Sequence, residues 1–192
     1  MKPLIMGILN TTPDSFFDGG KYTETDAALK RAEDILAQGG DIIDVGGQST
    51  RPGAIQLSEA EETSRAIPVI KAIKKQFKEA VISVDTFNYG TAKAALESGA
   101  SIINDVSALA DIRLARLAAD YKAKLVIMHM RGTPQGRQTL SGYQDILKEI
   151  KDFFEAKCAL AAAQGIDKKD IIIDPGLGFA KTREQNWFLL EN

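Results

Sequence analysis

The chain has 192 residues, 44% of them hydrophobic, with 24 Lys plus Arg against 26 Asp plus Glu and a formal charge of −2. That composition excludes a disordered segment, a collagen and a disulfide scaffold, and it lacks the basic surplus of a nucleic-acid binder. No apolar run approaches the roughly 18 residues of a membrane span, and residues 1–10 do not read as a secretory leader. The expectation is a cytoplasmic protein with one domain over residues 1–192 and neither nucleic acid nor membrane as a partner.

Apolar β-rich runs at 4–9, 41–45, 80–84, 100–103, 124–128 and 170–173 alternate with amphipathic stretches at 24–38, 58–77, 89–98, 112–121 and 142–164; one more begins near Arg183. The first run ends at Asn10 and feeds a long loop through Thr12, Pro13, Asp14, Phe16, Phe17, Asp18 and Gly20. Its glycines, aromatics and carboxylates suit a loop that closes over a flat ligand and holds an amine, or a solvated turn. The first helical stretch stops before Gly39. The second run ends at Asp44, Gly46 and Gly47, followed by Gln48, Ser49, Thr50, Arg51, Pro52 and Gly53. Backbone N–H groups, hydroxyls and a planar guanidinium fit a phosphate, although a tight structural turn uses the same glycines.

Ser58 and Glu61 form a capping-box pattern at the start of the second helix. The third run ends at Asp85 and Thr86, and Gly99 stops the helix after it. The fourth ends at Asn104 and Asp105 and the fifth at His129, the chain's one histidine. One histidine offers no His-based metal cluster, so a satisfied strand-end imidazole is expected. In the next helix Ile146, Leu147, Ile150, Phe153 and Phe154 make one apolar face, read as core, and Cys158, the one cysteine, lies among alanines and reads as packing. After Gly165, the sixth run ends at Asp174 before Pro175 and Gly176, where it starts a turn or binds a ligand.

Strands alternating with helices imply a parallel sheet. An open Rossmann sheet has no reason to end nearly every strand in polar residues, and no Gly-x-Gly-x-x-Gly opens the first helix. The expected fold class is therefore α/β, a (β/α)8 TIM barrel. A complete barrel takes about 250 residues, so the chain reads as C-terminally truncated to about six βα units, with strands 7 and 8 absent. Closure would aim Asp85, Asn104 and Asp174 at one cavity, where a pteridine or purine edge would satisfy them.

The segment from Met6 to Phe16, the Gly46 to Gly53 loop, Ser83-Val84-Asp85-Thr86, Ile103-Asn104-Asp105-Val106 and Asp174-Pro175-Gly176-Leu177-Gly178-Phe179 together resemble the dihydropteroate synthase family of pterin-binding enzymes. The resemblance implies a transferase of folate biosynthesis. It condenses 6-hydroxymethyl-7,8-dihydropterin diphosphate with p-aminobenzoate to give 7,8-dihydropteroate and diphosphate. It also implies that Asp85, Asn104 and Asp174 hold the pterin edge while Val106 and Met128 line the ring. Asn10 would hold the diphosphate and its Mg²⁺, Thr50 and Arg51 the diphosphate and p-aminobenzoate, and Phe16, Asp18, Pro52 and Phe179 the p-aminobenzoate side. Asp85, Asp174, Arg51 and Asp18 are the implied catalytic group. A homodimer is implied at full length.

Departures are Phe17 for the usual Ser, Gln48 for Glu and Ala180 for Gly. The family's seventh-strand Lys and eighth-strand Arg and His have no counterpart here, so the chain alone is expected to be inactive. The rival readings are a pterin-binding methyltransferase acting on a corrinoid protein and a non-catalytic pterin-binding paralogue.

Overall fold

The computed structural model of the protein describes residues 2–11, 24–48, 57–132 and 141–192. Among them strands and helices alternate as β1 (Met6–Asn10), α1 (Glu24–Ala37), β2 (Ile42–Gly46), α2 (Glu59–Gln76), β3 (Val81–Asp85), α3 (Tyr89–Glu97), β4 (Ile102–Asp105), α4 (Arg113–Tyr121), β5 (Lys124–Met128), α5 (Ile146–Ala163), β6 (Ile171–Asp174) and α6 (Arg183–Glu191). The described residues fall into two compact units, one reaching to Asn104 and the other starting at Asp105.

In the first unit, β1, β2, β3 and the start of β4 pair in parallel and in chain order. All five residues of β2 are buried, as a parallel strand covered on both faces requires. The core joins Leu9, Ile43, Val45, Ile82, Val84 and Ile103 to the inner stripes of the helices, including Ala32, Ile70, Ile73 and Ala92. Each fully buried Val, Leu or Ile contributes roughly 1.5–3 kcal/mol of burial free energy. Ser58 caps α2 as its sequence predicts: its hydroxyl accepts from Glu61 N, and the Glu61 carboxylate accepts from Ser58 N at 3.0 Å. The expected stops at Gly39 and Gly99 are left-handed, with φ of 90° and 104°.

In the second unit β5 pairs in parallel with β6, setting Met128 opposite Asp174. Helix α4 buries Leu114, Ala115, Leu117 and Ala118, and β5 buries Leu125, Val126, Ile127 and Met128. Helix α5 begins at Ile146 rather than 142, because Asp145 caps it by accepting from Lys148 N. Its apolar face corrects the expectation of plain core. Ile146, Ile150 and Phe154 are buried, but Leu147 is exposed and lines, with Phe154, Ile171 and Ile173, a groove of about 780 Å³. Periodicity marks an apolar face but does not tell how much of it the tertiary structure covers.

Candidate functional site

In the first unit the parallel register brings four strand ends level: Asn10 beside Gly46, Gly46 beside Asp85, and Asp85 beside Asn104. Gly46 leaves the space between the polar ends open. A β-carbon there would stand 3.2 Å from Asn10 Oδ1 and 3.6 Å from Asp85 Oδ2. Thr11 closes the end of β1 by donating through N and Oγ1 to Gly46 O, at 2.8 and 3.1 Å. Asp44, two residues before Gly46, is buried, and its Oδ2 accepts from Asn104 Nδ2 at 3.0 Å. Burial pushes the Asp44 carboxyl above its ordinary range, opposed by the nearby Ser83 hydroxyl and the Asn104 amide. Its other oxygen, Oδ1, and Ser83 Oγ are both buried and lack hydrogen-bond geometry.

Among the described residues the Asp44 carboxylate takes one Asn104 N–H, so the amide can still offer its oxygen and its second N–H. Farther along the same side of the sheet, Glu62 of α2 is fully buried and accepts from Thr86 Oγ1 at 2.8 Å and Asn88 Nδ2 at 2.9 Å, fixing the segment that follows Asp85.

In the second unit the fully buried Asp105 carboxylate accepts from Ser107 N, Ser107 Oγ and Leu109 N at 2.7, 2.5 and 2.6 Å. These bonds wind a tight turn carrying Val106, with Ala108 and Leu109 both at positive φ. Burial raises the Asp105 carboxyl against the pull of those donors. Asp105 therefore shapes the loop instead of meeting a ligand. Met128 is buried at the end of β5.

Asp174 starts the turn, one of the two roles its sequence allows: its Oδ1 accepts from Gly176 N at 2.8 Å, and its backbone O accepts from His129 N at 2.8 Å. Gly176 is obligatory: φ is 67°, and a β-carbon would meet His129 O at 2.1 Å. His129 is a satisfied imidazole, as expected, held neutral by burial and by the charges of Lys181 and Arg131, which push its pKa down to about 4. It packs edge-on to Phe153 with centroids 4.7 Å apart.

Lys181 escapes the sequence reading because it follows the recognised turn and sits just before the α6 cap Thr182. A lone Lys two residues past Phe179 is the only local signal. The Arg131–Glu149 ion pair, with the Arg131 guanidinium 3.7 Å from the Tyr143 ring centroid, is likewise invisible in sequence.

Asn10, Asp85, Asn104, Val106, Met128, Asp174 and Phe179 are thus placed on strand ends or the loops next to them. Phe16, Asp18, Thr50, Arg51 and Pro52 lie outside the described residues. Among the described residues no group of three or more His, Cys, Asp or Glu is placed to hold a metal ion.

Parallel strands ending in carboxylate and amide acceptors, with apolar residues beside them, define an α/β protein suited to a flat ligand that donates hydrogen bonds. Comparison with known proteins narrows that class. The family model described as pterin binding enzyme matches residues 6–192. The chain is 46% identical over 187 residues to a dihydropteroate synthase of Synechocystis sp., covering 97% of this chain and 64% of that protein. It is also similar to the Xanthomonas albilineans dihydropteroate synthase solved with 4-aminobenzoic acid, with a TM-score of 0.91, 40% identity, and coverage of 100% of this chain and 67% of that one. The same enzyme solved with 7,8-dihydropteroate gives a TM-score of 0.86 at 36% identity, again over 100% and 67%. The chain belongs to the pterin-binding enzyme family, among relatives that are dihydropteroate synthases, and its βα units are those of their (β/α)8 barrel. It spans about two thirds of the length of these relatives.

Proposed function

We propose that the chain carries the pterin-binding part of a dihydropteroate synthase, which joins 6-hydroxymethyl-7,8-dihydropterin diphosphate to p-aminobenzoate and releases diphosphate. The observation that carries this reading is the Asp44–Asn104 hydrogen bond beside Asp85. It orients an amide so that an acceptor and a donor face a ligand next to a carboxylate, the pattern a pterin edge requires. In this reading Asp85, Asn104 and Asp174 hold the pterin edge, while Val106 and Met128 line the ring. Thr50 and Arg51 grip the diphosphate. Phe16, Asp18, Pro52 and Phe179 form the p-aminobenzoate side.

Chemically, a diphosphate on a carbon next to an electron-rich ring departs with its bonding electrons while the ring delocalises the positive charge. Asp85 and Asp174 stabilise that charge. The p-aminobenzoate amine then attacks the same carbon, with Asp18 as the partner for its proton. Asn10 Oδ1 is a hard oxygen donor at an open strand end, which suits an ion that arrives with a diphosphate and retains several waters. Mg²⁺ held there would neutralise charge on the leaving diphosphate. Among the described residues no helix is long and apolar enough to cross a membrane; the reaction is proposed to run in the cytoplasm, on a homodimer at full length.

Calorimetry with 6-hydroxymethylpterin tests the pterin assignment. The chain should bind it, and Asp85→Asn or Asp174→Asn should each weaken binding by at least tenfold, since a hydrogen bond to a charged group is worth about 1.5–3 kcal/mol. Unchanged affinity in either variant removes that carboxylate from the site, and no binding by the unsubstituted chain defeats the reading.

A further inference from the structure

The Lys181 ammonium stands 3.1 Å from each of three acceptors: His129 Nδ1, Gly176 O and Phe179 O. An ammonium has three N–H donors and no acceptor, so the set is complete. Its two carbonyl partners lie at the two ends of the turn after β6, which Phe179 N closes on Gly176 O at 3.0 Å. That turn includes two left-handed glycines, Gly176 at 67° and Gly178 at 79°. Glycines permit such a conformation without selecting it, so the selection must come from elsewhere. His129 anchors the same turn from β5, because its backbone N bonds Asp174 O and its carbonyl lies against Gly176.

We infer that Lys181 is the positioning residue of this turn: shared among His129 Nδ1 and the carbonyls of Gly176 and Phe179, its ammonium sets the direction in which Asp174 and Phe179 stand. The inference rests on the proposed role of Asp174 in holding the pterin and deepens it.

The arrangement has a chemical signature. Since the ammonium donates to Nδ1, the imidazole proton must reside on Nε2. Burial, assisted by Arg131 and opposed by Asp174, lowers the Lys181 pKa to about 8, while His129 lies at about 4 and feels Lys181, Arg131 and Glu149. At neutral pH the charged lysine and the neutral ring therefore coexist, the one combination that keeps all three bonds.

His129 is the chain's one histidine, so its ring signals in an ¹⁵N-labelled sample need no assignment. In the unsubstituted chain at pH 7 the ring should be neutral with its proton on Nε2; an Nδ1–H ring there overturns the inference whatever the variants do. Lys181→Met keeps the aliphatic stem and removes every donor. It should give a mixture of tautomers, raise the His129 pKa toward 6.5, speed Phe179 amide exchange at least tenfold, and weaken 6-hydroxymethylpterin binding at least tenfold. Lys181→Arg should restore the Nε2–H tautomer, slow exchange and most of the affinity. A Met variant with the tautomer and exchange of the parent overturns the inference. So does one with a changed ring but undiminished pterin affinity, because Asp174 would then be placed by something else. If the unsubstituted chain binds no pterin, the proposed function fails, while the ring and exchange measurements still decide the role of Lys181 in the turn.

Discussion

Asp44 shows how a single buried carboxylate determines what its neighbours offer. It accepts from the Asn104 amide 60 residues away, and burial raises its own pKa. Asp44→Ala would leave the half-buried Asn104 N–H without that partner, and a hydrogen bond to a charged group is worth about 1.5–3 kcal/mol. Urea unfolding should show a loss in that range, whereas a change below about 0.5 kcal/mol would mean that the bond contributes nothing to the fold. The sequence announces Asp44 as a polar strand end, like Asp85 or Asn104. What it cannot announce is the pairing, which depends on the register of three strands. Lys181 is harder still, because one partner lies just past the end of β5 and the other two are backbone carbonyls, which have no letter in the sequence. Asp105 shows the converse. It looks like one more strand-end ligand, but its oxygens are occupied by N–H and O–H groups within four residues of it.

At the scale of elements, the local signals were sufficient wherever the cause of an end was itself local. The Ser58 and Glu61 pair stops fraying of α2 by satisfying first-turn N–H groups, and both of its bonds form. Ser58→Ala should cost about 1 kcal/mol, as N-cap removal usually does, visible as a lower denaturation midpoint with an unchanged m-value. No change in midpoint would show that α2 is held by tertiary contacts alone. Among the described residues the six strands and six α-helices are legible because apolar periodicity and glycine stops are short-range properties. The open part of the α5 face is not, since Leu147 and Phe154 belong to the same periodic stripe and yet one is exposed and the other buried. Ala180 carries a similar lesson. It occupies a position where the resemblance expects Gly, and its φ of 51° shows why: the backbone is left-handed there, and a buried methyl group is accommodated at some strain.

For the whole molecule, the buried ionisable groups make stability depend on pH with opposing signs. The folded-state pKa of His129, about 4, lies below its ordinary 6.5. Its contribution is therefore complete above pH 6.5 and is lost as pH falls through 4, because the unfolded chain binds the proton first. Asp44 and Asp105 are shifted the other way, upward by burial. They favour the folded state below the ordinary carboxylate pKa and lose that advantage as pH rises through their raised values. Lys181, depressed to about 8 from 10.5, contributes fully above pH 10.5 and loses its contribution as pH falls toward 8. Between pH 7 and 5 Lys181 is charged in both states, so of these groups the histidine is the one that makes stability fall with pH, while Asp44 and Asp105 act with the opposite sign. The histidine's share should fall by about 1–2 kcal/mol from pH 7 to pH 5. Urea midpoints across that window test the sign. The same series on His129→Gln separates the cause, because a ring that cannot titrate should leave the profile flatter than that of the parent. A His129→Gln chain that loses stability as steeply as the parent would assign the slope to other groups and dismiss the imidazole as its source.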